Sequence, residues 1–175
     1  MREKIGFYHY LVPAIFLIFL SLCYEFLALF GLVESAYYLV FFPFFEELFK
    51  FLYARNFLAK SRNIIIALGI WEFLIVKIPL MNFSNLNDAA LIFIFSILPL
   101  IFHVSSAFVY SSKYNQYIPK SVFFIMLICH IFYNSINLIT ETELSFFIVS
   151  LIFSISPLVF FLFISKIGTG ATTPE

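Results

Sequence analysis

The sequence is short of charge and of cysteine. Only 11% of its 175 residues are charged, against about 25% in a typical soluble domain, while 63% are hydrophobic. This composition excludes an ordinary soluble globular domain and indicates an integral membrane protein. The formal net charge is zero, so no basic surface is expected for a nucleic-acid partner. Cys23 and Cys129 lie in apolar runs and are expected to be buried thiols, because one pair gives no metal-ligand spacing.

Glycine is also scarce, and one common catalytic motif is absent. The chain has five glycines and 27 phenylalanines. Membrane helices often pack through small residues, so this ratio favours large aromatic contacts instead. The HExxH helix of conventional zinc proteases is absent, which excludes that class.

Long apolar runs dominate what remains. A membrane-spanning helix needs about 17–25 apolar residues, and six runs qualify. Short polar connections between them predict antiparallel neighbours. We therefore predict an all-α polytopic bundle of about six transmembrane helices, with residues 1–167 as one membrane-embedded domain and 168–175 as a disordered polar tail. The six runs are Tyr10–Phe30, Ala36–Leu58, Ile64–Leu80, Ala89–Tyr110, Ile118–Ile139 and Leu144–Ile164.

Loop charges predict the orientation. Basic residues concentrate on the inner side of a membrane. With both termini inside, eight of the ten basic residues fall on that side, namely Arg2, Lys4, Arg55, Lys60, Arg62, Lys113, Lys120 and Lys166. The prediction is a multi-pass protein of a prokaryotic cell membrane, in contact with the lipid bilayer.

The segment Pro43–Arg55 carries Glu46, Glu47 and Lys50 inside the second apolar run. At about 100° per helical residue the three share one face, with the lysine angularly between the carboxylates. Each charge at that depth costs at least about 2.5–3.5 kcal/mol. We expect a functional site that faces inward, the alternative being an ion-pair cluster that packs helices together.

Two further runs place polar groups at a similar depth. Glu72 is the single acid of its span, and His103 is followed by Ser106 and Tyr110 on roughly the same face. At about 1.5 Å per residue, Glu72 lies about 12 Å from the inner edge and His103 about 21 Å from the outer edge. The alternatives are a protonated buried acid and a packing histidine.

The fifth run carries a polar stripe. His130, Asn134 and Asn137 follow one another at i, i+4 and i+7. His130 lies about 18 Å from the inner edge, close to the level of the other groups. Asn134 can orient the imidazole or donate a hydrogen bond to a substrate. The alternative is an interhelical hydrogen-bond stripe.

These groups together suit hydrolysis of an amide. Imidazole and carboxylate are zinc ligands, and catalytic sites keep an open position for water. A spare glutamate, Glu46 or Glu47, could act as general base, Lys50 could fix a carboxylate or polarise a carbonyl, and Asn134 could donate to an oxyanion. The predicted ligands of a divalent metal, zinc, are Glu47, Glu72, His103 and His130.

The motifs resemble those of the PrsW family of membrane-embedded proteases, which is related to the type II CAAX prenyl endopeptidases. Glu46, Glu47 and Lys50 match its EExxK motif, and His130 and Asn134 match HxxxN. Glu72 matches a glutamate four residues after an aromatic position, here occupied by Leu68, and a later helix histidine is matched by His103. The resemblance covers about residues 41–137. It implies a metal-dependent endopeptidase that works within the membrane or next to it and cleaves membrane proteins or peptides.

Two other functions fit the same residues. Carboxylates and histidines near the midplane also form proton relays in transporters, although no internal repeat is evident here. A non-catalytic scaffold is the third interpretation, and retention of so much costly buried charge argues against it. The sequence leaves open the substrate, which glutamate is the catalytic base, and whether water is activated by a metal ion, and which one, or by glutamate and histidine alone.

Overall fold

The computed structural model describes residues 6–31, 37–77, 86–112, 118–136 and 143–170. Within those ranges all regular structure is helical, with no strand, so the all-α prediction is confirmed. The six α-helices are α1 (Tyr8–Leu29), α2 (Phe42–Asn56), α3 (Leu58–Glu72), α4 (Leu86–Tyr110), α5 (Pro119–Ser135) and α6 (Glu143–Gly170).

Local sequence explains where several helices begin and end. Proline lacks an amide hydrogen and has a helical φ, so it suits a first turn; Pro43 and Pro119 occupy that place in α2 and α5. Gly31 follows α1 with a φ of 64°, a conformation that glycine adopts without strain. The chain turns between α2 and α3 at Phe57, earlier than the connection predicted at residues 59–63.

Two short π-helical segments extend the helices that carry acids. Tyr37–Phe41 leads into α2, and Phe73–Lys77 continues directly from α3 after Glu72. A π-helical turn holds more residues than an α-helical turn and is frequent at functional sites. Each segment therefore changes the direction of the side chains that follow it, close to a candidate site residue.

Five helices form a closed circuit. α2 packs against α3 and α5, α4 packs against α3, and α6 packs against α4 and α5. α1 lies outside this circuit against α3, where the indole Nε1 of Trp71 donates to the backbone carbonyl of Tyr10 at 2.8 Å. The interior of the circuit is where side chains from four different helices can meet.

Large apolar side chains also cover the outside. Phe7, Phe26, Phe124 and Phe163 are each more than half exposed. Of the described helices, only Tyr8–Leu29 is long and apolar enough to cross a membrane by length and composition, and shorter apolar helical stretches cover Ile97–Tyr110 and Phe147–Phe163.

The C-terminal helix extends beyond the predicted domain boundary. α6 continues through Gly170, three residues past residue 167. Residues 171–175 of the predicted polar tail lie outside the described residues. The division into a helical domain and a tail stays a prediction.

Candidate functional site

The six charged or imidazole side chains singled out in the sequence meet inside the circuit of helices. α2 supplies Glu46, Glu47 and Lys50, and all three are fully buried. Glu72 of α3, His103 of α4 and His130 of α5 are also buried. The prediction that they meet follows from their similar depths in the six apolar runs. Their arrangement divides into two connected groups.

The first group surrounds Glu47. Its Oε1 accepts hydrogen bonds from Lys50 Nζ at 2.6 Å and from His130 Nδ1 at 2.9 Å. Its Oε2 accepts a hydrogen bond from the Tyr110 hydroxyl at 2.8 Å. Three donors from three helices therefore converge on one carboxylate. A buried ion pair is stable only when its remaining hydrogen-bonding capacity is filled in this way.

An aromatic wall closes this group. The ring of Phe102 lies 5.2 Å from Lys50 Nζ, within the range of a cation–π contact. The same ring lies 4.8 Å from the His130 ring and stacks on Tyr133 at 5.4 Å, measured between ring centroids. The aromatic packing expected from the composition thus shields the ammonium from the surroundings.

The second group comprises Glu46, Glu72 and His103. One ligand atom from each lies within 4.8 Å of the others, and all three residues are buried. His103 Nε2 is 2.7 Å from Glu72 Oε2 and 3.8 Å from Glu46 Oε2. Its Nδ1 has no hydrogen-bond partner among the described residues.

This donor set fits a divalent metal ion. Two carboxylates and one imidazole are common zinc ligands, and three protein ligands leave a position for water. Ligand atoms around a tetrahedral zinc are about 3.4 Å apart, given bonds of about 2.1 Å. The separation of 3.8 Å between His103 and Glu46 is close to that value, whereas the contact of 2.7 Å between His103 and Glu72 is a hydrogen bond that an ion would replace.

The predicted metal ligands differ from this group in two members. Glu46 belongs to it in place of Glu47, because both Glu47 oxygens already accept strong hydrogen bonds. His130 lies beside the group, with Nε2 3.5 Å from Glu46 Oε2, and it links the two groups. Glu72 and His103 belong both to the predicted ligand set and to this group.

Asn134 lies one helical turn after His130 on α5 and is half-buried. Its proposed donation to an oxyanion stays a prediction. Asn137, the last member of the polar stripe, lies outside the described residues. Ser106 donates its hydroxyl hydrogen to the backbone carbonyl of His103 at 2.9 Å, so this buried hydroxyl has its partner within its own helix.

Two residues without a predicted role contribute to the site. Tyr110 follows His103 by seven residues and so lies on roughly the same helix face. This spacing is the one sign in the sequence that Tyr110 could reach the site, where it contacts Glu47. Gly69 lies three residues before Glu72, where a Cβ atom would come within 2.7 Å of His103 Cβ. Glycine at this point lets α3 and α4 approach closely. The sequence alone does not reveal this contact.

Comparison of the chain with protein-family models, with curated proteins and with solved structures finds no match.

Proposed function

We propose that this chain is a multi-pass, membrane-embedded, metal-dependent endopeptidase that hydrolyses peptide bonds of membrane-associated proteins, as its resemblance to the PrsW family implies. The observation that carries the proposal is the buried convergence of Glu46, Glu72 and His103 beside His130. Such a group is costly to bury and supplies both metal ligands and a proton acceptor.

The membrane part of the proposal is supported by the distribution of apolar residues. Each of the six helices overlaps one of the six apolar runs, and large apolar side chains face outward. Six crossings bring the basic residues to one side, which would be the inner face of a prokaryotic cell membrane. Site residues then lie near the bilayer midplane, where water reaches only an enclosed polar chamber.

A divalent ion held by Glu46, Glu72 and His103 would supply Lewis-acid polarisation of the attacking water and of the scissile carbonyl. His130 then acts as the acid–base group: Nε2 accepts a proton from the attacking water and returns it to the leaving amine nitrogen. Glu47 orients the imidazole through Nδ1. Glu47 thus acts through His130 and does not activate water itself.

Cleavage of co-reconstituted peptides tests this proposal. The purified protein is placed in lipid vesicles with a mixture of transmembrane peptides, and products are identified by mass spectrometry. Glu46→Gln and His130→Gln are expected to lower the rate by about 10²–10⁴-fold. Glu25→Gln is the matched control, because Glu25 is an exposed acid on α1. Undiminished cleavage by Glu46→Gln would contradict the proposal.

A proton-coupled transporter is the second candidate, favoured by one observation. The titratable groups form a continuous buried series, with successive separations of 2.7, 3.8, 3.5, 2.9 and 2.6 Å. This series runs from Glu72 through His103, Glu46, His130 and Glu47 to Lys50. Proton flux into vesicles that is lost in Glu46→Gln, without peptide cleavage by the unmodified protein, would favour the transporter.

A further inference from the structure

Tyr110 carries a buried hydroxyl. The residue belongs neither to the sequence motifs nor to the metal-binding group. It is the last residue of α4 and is fully buried. Its hydroxyl donates a hydrogen bond to Glu47 Oε2 at 2.8 Å. Lys50 and His130 bind the other carboxylate oxygen, Oε1. Both oxygens of Glu47 are therefore fixed, and the carboxylate cannot rotate without losing a hydrogen bond.

The fixed carboxylate determines which nitrogen of His130 carries hydrogen. An ionised carboxylate can only accept, so the bond of 2.9 Å to Nδ1 requires Nδ1–H. Nε2 lies 3.5 Å from Glu46 Oε2, too far for an ordinary N–H···O hydrogen bond. A neutral His130 held in this way presents the lone pair of Nε2 toward Glu46.

We propose that Tyr110 is a positioning residue that, together with Lys50, holds Glu47 in the orientation that fixes the Nδ1–H tautomer of His130. The inference deepens the proposed function, because the acid–base role of His130 requires a lone pair on Nε2. Its structural part, the tautomer, does not depend on whether the chain cleaves peptides.

The chemistry of the pair explains why the hydroxyl matters beyond packing. Without it, Oε2 of Glu47 would be a buried acceptor with a lost partner, and rotation toward Lys50 would relieve that loss. The same rotation would withdraw Oε1 from His130. Partners of this kind, which orient a functional imidazole, typically contribute about 10–100-fold in activity.

Histidine-selective ¹⁵N NMR of the protein in detergent micelles measures the tautomer directly. The chain has three histidines, so the His130 signals can be assigned with one His130→Gln sample. At a pH well above the ordinary histidine range, the unmodified protein should show a protonated Nδ1 and an unprotonated Nε2. In Tyr110→Phe, which keeps the ring, the Nε2–H tautomer should rise to a comparable population.

Tyr53→Phe is the matched control, because it removes a hydroxyl from a half-buried side chain of α2 whose ring packs on Phe49 and Phe57. It should leave the His130 signals unchanged. Peptide cleavage should fall about 10–100-fold in Tyr110→Phe, with zinc affinity within about threefold, because Tyr110 lies outside the metal-binding group.

Three results would overturn the inference: an Nε2–H tautomer in the unmodified protein, an unchanged tautomer in Tyr110→Phe, or an equal shift in the control. The first does not use Tyr110→Phe, so it can be tested even where that variant fails to fold. A tautomer shift in Tyr110→Phe combined with no cleavage by the unmodified protein would refute the endopeptidase and leave the positioning role of Tyr110 intact.

Discussion

Gly69→Ala tests how closely the site depends on the contact between α3 and α4. The added methyl carbon would lie 2.7 Å from His103 Cβ and 3.0 Å from its Cγ. Ordinary carbon–carbon contacts are about 3.5–4.0 Å, so the shortfall is about 1 Å. His103 Cβ is fixed to the helix backbone and cannot rotate away. The two helices must therefore separate, or the imidazole must leave its place.

The cost falls on geometry more than on stability. Overpacking costs about 1–3 kcal/mol, and alanine is about 1 kcal/mol better than glycine within a helix, so the net loss is about 0–2 kcal/mol. A separation of about 1 Å would extend the contact between His103 and Glu72 beyond hydrogen-bonding length, from its value of 2.7 Å. Misplacement of that size can lower turnover by about 10²-fold.

Zinc affinity, measured by competition with a chromophoric chelator, gives the clearest result. We expect Gly69→Ala to bind zinc about 10–100-fold more weakly, as other changes that displace a ligand do. Gly6→Ala is the control, because the three atoms nearest to a Cβ at Gly6 all belong to the ring of Tyr8, a side chain that is 66% exposed and lies outside the site. Affinity within twofold of the unmodified protein in Gly69→Ala would refute the packing argument.

The remaining predictions concern the stability of the bundle in detergent micelles. Lys50→Met should lower the free energy of unfolding by about 3–5 kcal/mol, because it leaves the Glu47 carboxylate buried without its cation. A Lys50→Met/Glu47→Gln double variant should recover part of that loss, because the neutral amide needs no cation and its carbonyl oxygen can still accept from His130 or Tyr110; a double variant no more stable than the single would refute the ion-pair argument. Zinc at about 100 times its Kd should add about 2.7 kcal/mol, a gain that a chelator reverses and that Glu46→Gln abolishes, and a zinc effect surviving in that variant would place the ion elsewhere. Trp71→Phe should cost about 1 kcal/mol through its lost hydrogen bond to α1, and an unchanged melting temperature would show that this bond contributes nothing.

The helical segments could be predicted because apolar run length and proline position directly constrain local structure. Convergence of the site could be predicted for a similar reason: in the predicted six-span bundle, the helices alternate in direction and bring Glu46, Glu72, His103 and His130 to one depth. Depth depends on the number of residues from a helix end, which the sequence states. The rotation of a helix about its axis cannot be read from the sequence, because it depends on which large side chains pack between neighbouring helices.

That difference explains why Glu46, and not Glu47, belongs to the group that could hold a metal ion. Glu46 and Glu47 point about 100° apart on α2, so a modest rotation of the helix exchanges their surroundings. Packing of Phe102 against Lys50 and His130 directs Glu47 to those residues and leaves Glu46 facing Glu72 and His103. The bond to Tyr110 and the space provided by Gly69 depend on the same packing and could not be read from spacing.

The enclosure of Lys50 has a practical consequence. Its amine is 0% exposed, paired with a carboxylate and covered by the face of an aromatic ring. Lysines near the helix ends, such as Lys60 and Lys120, are partly or fully open to reagents. An acylating compound would therefore label the periphery at once and reach Lys50 only when the bundle transiently opens. The rate at which Lys50 is acylated would therefore measure how often the bundle opens.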